Sequence, residues 1–447
     1  MKPLAFIAFA IAAVAVSFMW WRAGGPSWFG VAIMAVLAAK LVLSWTKARE
    51  TSISPAELFR LNGLKVGVAV PMFNEDPLML RAALASIHAQ SRRPASIVVV
   101  DDGSAGDEAA QEADSWLARF ERHGVRATVV RFPSNRGKRQ ALVTALDSQP
   151  DVDLLLCVDS DTVLEEHALE RVLLPFVDPA TTVVTGLVLA LNHDRNLLTR
   201  LIDLRYANAF LFERAAYSRL GSVLCACGSL ALYRADVLHK YRTDFLEQSF
   251  LGRPAVFGDD RRLTNYGLLE GRTAFRADAV AYTAVPEKMG HYIRQQIRWN
   301  KSFFRESLWV LRNMPFAKPA FWLTFVELST WLLFTAVLVS AFVVSPLVTG
   351  GLLVGPYVVF MALLAYARSV RYVELTELHS SRDIWVGFLL APLYGFLHVG
   401  VLMWLRLYSL ATLRSGTWGT RRSVEVRLVP VGRGAPSTQR HEAEPDS

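Results

Sequence analysis

Two long and nearly uninterrupted apolar stretches open the chain, residues 4–21 and 27–46, and a further apolar region begins near residue 318. Each of the first two approaches the roughly 20 residues that a helix needs to cross a bilayer. Residues 50–315 between them have mixed character. A chain that is 52% hydrophobic yet 20% charged is consistent with this segregation. The distribution predicts a water-facing domain set between membrane segments.

Residues 4–21 have a second reading as a secretory signal peptide, because Lys2 precedes an Ala-rich run. A second apolar stretch follows at once, and Trp20, Trp21 and Trp28 stand where an aromatic belt would lie, which favours a helical hairpin over residues 1–48. Only Arg22 is charged in the connection, whereas Lys47 and Arg49 follow the second stretch. That asymmetry places the N-terminus and the next domain in the cytosol, and the net charge of +8 fits the same positive-inside bias. There is no basic stripe interleaved with aromatics, so no nucleic-acid partner is expected. The three cysteines, Cys157, Cys225 and Cys227, form neither a disulfide framework nor a zinc site and read as buried small hydrophobes.

Within residues 49–315, short Val-rich runs at 65–71, 96–100, 127–131 and 154–158 read as buried strands. Residues 77–90 carry apolar positions at helical spacing, with Asp76 as N-cap and Pro77 in the first turn. Strand–helix–strand alternation predicts a doubly wound, mostly parallel α/β sheet, whose ligands bind beyond the carboxyl ends of its strands.

The acidic motifs fall at those ends. Asp101-Asp102-Gly103 closes one strand and Asp159-Ser160-Asp161 another. Carboxylates there suit a hard divalent cation and the phosphates it carries. An isolated Asp-x-Asp is more often a solvated turn, but two acidic strand ends in one domain favour the cation. Phe257-Gly258-Asp259-Asp260 adds a third acidic pair, in which one carboxylate can serve as a general base. A plain helix N-cap is the other reading. Asn135-Arg136-Gly137-Lys138-Arg139 can contact a diphosphate or be a solvated loop. Arg294, Arg298, Lys301 and Arg305 recur at helical spacing. They read equally as a face on lipid headgroups or, with Trp299 beside Arg298, as a sugar platform next to a cation.

Taken in order, Asp101-Asp102-Gly103, Asp159-Ser160-Asp161, Gly258-Asp259-Asp260 and Gln295-x-x-Arg298-Trp299 resemble the signature of processive family-2 glycosyltransferases, which include cellulose, chitin and hyaluronan synthases. The detail around residues 258–265 and 295–306, with Trp418-Gly419-Thr420-Arg421, is most similar to hyaluronan synthases. The sequence departs from that pattern at Asn300 and Phe303, and in lacking a Pro within residues 228–234. The resemblance implies a GT-A-type domain and inverting, processive transfer from UDP-sugars to a β-linked polysaccharide acceptor. Hyaluronan from UDP-GlcNAc and UDP-GlcA is the expected product. A chitin-oligosaccharide or β-glucan synthase, or a non-processive lipid-carrier glycosyltransferase, is the alternative.

The resemblance also implies roles for individual residues. Asp101 and Asp102 would hold the nucleoside. Asp159 and Asp161 would bind the diphosphate through Mg2+ or Mn2+, with Lys138 reaching it. Asp260 would be the catalytic base. Gln295, Arg298 and Trp299 would take the acceptor end and the diphosphate. Trp418, Thr420 and Arg421, in a gating loop over residues 413–425, would close over the nucleotide.

That last role carries a topological demand. The enzyme is expected to be a multi-pass protein of the cell membrane, its catalytic domain cytosolic and its C-terminal region spanning residues 316–412. Residues 320–345, 352–367 and 385–409 are three candidate segments. Three full crossings would leave residue 418 outside the cell. Pro392 and Gly395 predict that the last segment bends instead of crossing straight, or else one segment lies along the interface. Residues 426–447 read as a disordered tail.

Overall fold

The computed structural model describes residues 27–46, 53–339, 343–349 and 354–414. The residues of the first apolar stretch, residues 415–425 of the gating loop with Trp418, Thr420 and Arg421, and the tail lie outside them.

The strands, in chain order, are β1 (Val66–Met72), β2 (Ser96–Asp101), β3 (Arg126–Arg131), β4 (Leu154–Cys157), β5 (Thr162–Leu164), β6 (Thr181–Ala190), β7 (Ala231–Arg234), β8 (Ser249–Phe250), β9 (Arg253–Pro254) and β10 (Arg272–Thr283). Eight of them form one sheet in the order β3-β2-β1-β4-β7-β6-β10-β5, and β8 pairs with β9 alone. The half from β3 to β4 is wholly parallel. The other half is mixed: β7 runs antiparallel to β4 and β6, β10 is parallel to β6, and β5 is antiparallel to β10. Parallel strands need both faces covered, which is why β2 is buried at every position.

The helices that matter for the site are α1 (Ser27–Trp45), α2 (Pro77–His88), α3 (Glu108–Arg122), α4 (Lys138–Asp147), α5 (Leu197–Ala207), α6 (Asp259–Glu270) and α7 (Met289–Asn313). Side chains alternate across β1 and β2. Val68, Val70, Ile97 and Val99 join Leu80 and Leu84 of α2 and Trp116 and Phe120 of α3 in one core. Ala69, Val98 and Val100 join Ala141, Leu142 and Ala145 of α4 in the other. Asp76 caps α2 as the sequence predicts, its Oδ1 accepting from the amides of Leu78 (2.9 Å) and Met79 (3.1 Å), with Pro77 in the first turn.

Beyond the sheet lie α8 (Pro319–Val339), α9 (Val354–Ser369), α10 (Ser381–Leu389), α11 (Ala391–Leu397) and α12 (Met403–Ala411), with a π-helical turn over His398–Leu402 joining the last two. Among the described residues, Pro319–Ala336 and Ala391–Ala411 are long and apolar enough to cross a membrane. The 385–409 segment breaks at Leu390, which ends α10 and caps α11, with Pro392 in the first turn of the new helix. The break thus falls just before Pro392, and the helical run after it is 21 residues long. Buried polar ties connect this region to the domain. Tyr372 Oη (2.8 Å) and His379 Nε2 (3.0 Å) both bond Asp203 Oδ2 on α5.

Candidate active site

The strand order reverses between β1 and β4, and the loops after β1, β2 and β4 open into one crevice there. Asp101 ends β2 and folds back on its own turn, its Oδ1 accepting from Ser104 N (3.0 Å) and Ser104 Oγ (2.6 Å). Asp102 is 2% exposed and uses its carboxylate on the following loop, accepting from the amides of Arg136 (2.7 Å) and Gly137 (2.9 Å). Burial raises its pKa, opposed by those two amides. Whatever it contacts in a ligand, Asp102 also fixes the loop that leads into α4.

Lys138 is the first residue of α4, and its ammonium rests on Asp159 Oδ1. Burial alone would lower the lysine's pKa, but Asp159 at contact distance and the nearby Asp259 and Asp260 raise it. The other oxygen of Asp159 accepts from Ser229 Oγ at 3.1 Å. Gly228 borders the pair. A Cβ there would stand 3.3 Å from Lys138 Nζ and 3.6 Å from Asp159, so glycine keeps the approach open. Asp161 Oδ1 accepts from Thr283 Oγ1 at the end of β10 (3.2 Å), and Ser160 Oγ donates to the buried Glu75 (2.7 Å). Among the described residues no three His, Cys, Asp or Glu side chains converge into a preformed metal cage. Two hard carboxylates at a strand end nonetheless suit Mg2+ or Mn2+, and Asp159 and Asp161 would be the side chains to hold it. The ammonium on Asp159 marks the place where positive charge is wanted.

Asp260 stands in the first turn of α6. The N-cap is Gly258, at φ +95°, so neither Asp259 nor Asp260 is the capping residue that the simpler sequence reading allows. The left-handed conformation at Gly258 turns the chain so that the two acids open the helix. Burial raises the Asp260 pKa, opposed by Arg261 and Lys138. Cys225 Sγ lies 3.5 Å from Asp260 Oδ2, and burial together with that carboxylate pushes the Cys225 thiol up to about 12, so it stays a donor. This cysteine is therefore part of the site and more than a small hydrophobe. Asp259 points the other way, accepting from Arg139 Nε at 2.5 Å. Arg139, read from sequence as a candidate diphosphate contact, is committed to that pair.

Gln295, Arg298 and Trp299 share α7. Gln295 Oε1 is buried without a hydrogen-bond partner among the described residues. The Trp299 ring is 38% exposed, 5.2 Å from the Arg205 guanidinium and 6.1 Å from the Tyr206 ring, both on α5. A flat aromatic surface backed by a cation suits a sugar ring. Helix α7 is tied to α6 through the buried Glu306, which accepts from Arg262 Nε (2.7 Å) and Asn265 Nδ2 (3.3 Å). The residues missed from sequence are Glu75, Arg205, Tyr206, Cys225 and Ser229. Arg205 follows Arg200 and Asp203 in a stretch of mixed polarity, and no local signal singles it out.

The family model described as glycosyltransferase like family 2 matches residues 64–302, more than half of the chain. This chain belongs to glycosyltransferase family 2. The matched stretch contains every acidic motif of the crevice and the α7 platform. The glycosyltransferase is 36% identical over 408 residues to a hyaluronan synthase of Streptococcus pyogenes, covering 89% of this chain and 91% of the relative. It is 35% identical over 369 residues to an N-acetylglucosaminyltransferase of Azorhizobium caulinodans, covering 80% and 88%. A solved mannosyltransferase from Pyrobaculum calidifontis, in complex with GDP-Man and Mn2+, shares the fold at TM-score 0.52 and 17% identity, covering 93% of this chain and 99% of its own.

Proposed function

We propose that this glycosyltransferase is a processive, inverting polysaccharide synthase that takes sugars from UDP-sugars, with hyaluronan from UDP-GlcNAc and UDP-GlcA as its product. The observation that carries the reaction is the grouping of the Lys138–Asp159 pair with Asp260, near enough for the lysine and that carboxylate to act on one another's charge. The hyaluronan assignment rests on the similarity to the streptococcal synthase across nearly the whole chain.

Asp101 and Asp102 border the nucleoside. Asp159 and Asp161 would hold Mg2+ or Mn2+, which when bound neutralises charge on the leaving diphosphate. Lys138 leaves Asp159 for the same phosphate oxygens. Trp299 stacks the acceptor sugar, and Gln295 and Arg298 fix its end and the diphosphate. Asp260 accepts the proton of the acceptor hydroxyl as that oxygen attacks the anomeric carbon. The new C–O bond forms as the bond to phosphate breaks on the opposite face, so an α-linked donor gives a β-linkage. One base suffices because the diphosphate leaves without protonation. Burial that raises the Asp260 pKa suits a base, since it brings proton affinity closer to working pH. Trp418, Thr420 and Arg421 close over the nucleotide from the cytosolic side. The apolar helices anchor the enzyme in the cell membrane and give the growing chain its way out.

The similarity to the N-acetylglucosaminyltransferase of Azorhizobium caulinodans favours a second reading, chains of GlcNAc alone. UDP release from membranes carrying the enzyme, with Mn2+ and with UDP-GlcNAc, UDP-GlcA, UDP-Glc or the first two together, separates the readings. Polymer only from the pair, digestible by hyaluronidase, is expected. Turnover with UDP-GlcNAc alone would establish the second reading, and turnover with UDP-Glc alone a β-glucan.

A further inference from the structure

We propose that Arg139 is a positioning residue for the transfer reaction, holding the loop that carries Asp260 in register with the donor crevice. The inference rests on Asp260 being the base. The Arg139 guanidinium, 8% exposed, reaches two acceptors of that loop at once: Nε donates to Asp259 Oδ1 at 2.5 Å and Nη2 to the Phe257 carbonyl at 3.2 Å. The Phe257 carbonyl also accepts from Arg305 Nη2 on α7, and the Arg305 guanidinium lies 4.5 Å over the Phe257 ring. One carbonyl is therefore gripped from the donor side by α4 and from the acceptor side by α7.

The next residue in the chain makes the grip consequential. Gly258, at φ +95°, is the only residue between Phe257 and the acids, and glycine alone puts little restriction on the backbone there. Without the two arginines the glycine would leave the direction of Asp260 loosely set. A buried ion pair is a poor source of net stability, because desolvation offsets most of the Coulomb gain. The planar fork of arginine is instead suited to fixing two acceptors in one geometry, which an ammonium cannot do. Lys138, one residue earlier, sits on Asp159. Adjacent residues of one helix thus serve the donor and the base, so the two are set by a single rigid element.

The experiment uses the full chain, purified in detergent, with UDP release for kcat and donor KM and titration of UDP in Mn2+ for affinity. Arg139→Gln should lower kcat by about 10²-fold, the effect of a displacement of roughly 1 Å at a reacting group, with donor KM and UDP affinity little changed. Arg139→Lys should fall between, because its single ammonium reaches one acceptor. Asp259→Ala, with Arg139 intact, provides the same test if Arg139→Gln does not fold. Wild-type kcat in Arg139→Gln or Asp259→Ala would overturn the proposal. So would parallel rises in donor KM and UDP dissociation constant with kcat retained, which would make Arg139 a diphosphate ligand. Asp260→Asn is run alongside. Turnover retained there would sink the assignment of the base itself, whereas an inactive Asp260→Asn beside a fully active Arg139→Gln would sink the positioning role alone.

Discussion

The ammonium of Lys138 lies on one oxygen of Asp159 while Ser229 Oγ holds the other at 3.1 Å. A divalent ion on Asp159 must therefore compete with the lysine, and a phosphate must draw the lysine away. Lys138→Met separates the two effects. Mn2+ alone should bind more tightly, since its competitor is gone. UDP in saturating Mn2+ should bind more weakly, by about 1.5–3 kcal/mol, the contribution of a hydrogen bond to a charged group. Calorimetric titration of the two ligands checks both directions; a fall in both affinities would show that the lysine only organises the site.

As the proposed base, Asp260 would couple activity to stability with opposite signs. Its folded pKa is raised by burial, so folding favours the protonated form, and the ionised form that a base requires costs stability at neutral pH. Turnover should fall as pH drops through this raised value, with an acid limb above the ordinary Asp range near ~3.9. Asp260→Asn should lose about 10²–10⁴-fold in turnover and melt at a higher temperature than the wild type at pH 7. A variant that is inactive and also less stable would contradict this coupling.

Trp299, backed by Arg205 and Tyr206, would offer the proposed acceptor a surface without chemistry of its own. Trp299→Ala should shorten the product more than it slows UDP release, because a weaker grip, by roughly 0.5–1.5 kcal/mol for one stacked ring, lets the chain dissociate earlier. Trp299→Phe should retain most of the length. Gel analysis of polymer beside a UDP assay gives both quantities.

The Asp203–His379 pair predicts a pH dependence of stability. Burial alone would raise the Asp203 pKa, but the hydrogen bond and charge of His379 hold it below the usual carboxylate range. Burial alone would lower that of His379, and Asp203 raises it. The aspartate's contribution is present above its unfolded pKa of about 3.9 and is lost as pH falls below it; the histidine's is complete below about 6.5 and is lost as pH rises through the raised folded value. The tie between α5 and the 370–383 segment should be strongest in weak acid. Asp203→Ala strands Tyr372, His379 and the Ala190 amide and should cost about 3–5 kcal/mol. Melting curves from pH 5 to 9 should slope for the wild type and flatten for Asp203→Asn.

The parallel half of the fold was legible because its signals are local. Val66–Met72, Ser96–Asp101, Arg126–Arg131 and Leu154–Cys157 lie within about a residue of the apolar runs that predict them, and their ends bring Asp101 and Asp159 to one crevice. The mixed half was not read. Strand β6 is buried at all ten positions and has no period of two, while β10 carries Arg276 and Asp278 where its register with β6 shifts. Pairings such as Arg139 with Asp259 join residues 120 apart, and Trp299 finds Arg205 on a different helix. No spacing rule reaches across such distances. The motifs were visible, but which carboxylates are tied to Arg139, Lys138 or Ser104 became clear only when the strands were placed.

The bond from Thr283 Oγ1 to Asp161 spans 122 residues, and β5, immediately after Asp161, finds its place only against the end of β10. During synthesis the donor crevice stays unfinished until residue 283 has left the ribosome, because long-range pairings form last. A nascent chain shorter than that would have the acidic motifs without the geometry to act on a nucleotide sugar. The crevice is therefore completed late in the enzyme's own biogenesis, and turnover must wait longer still, for α7 to follow.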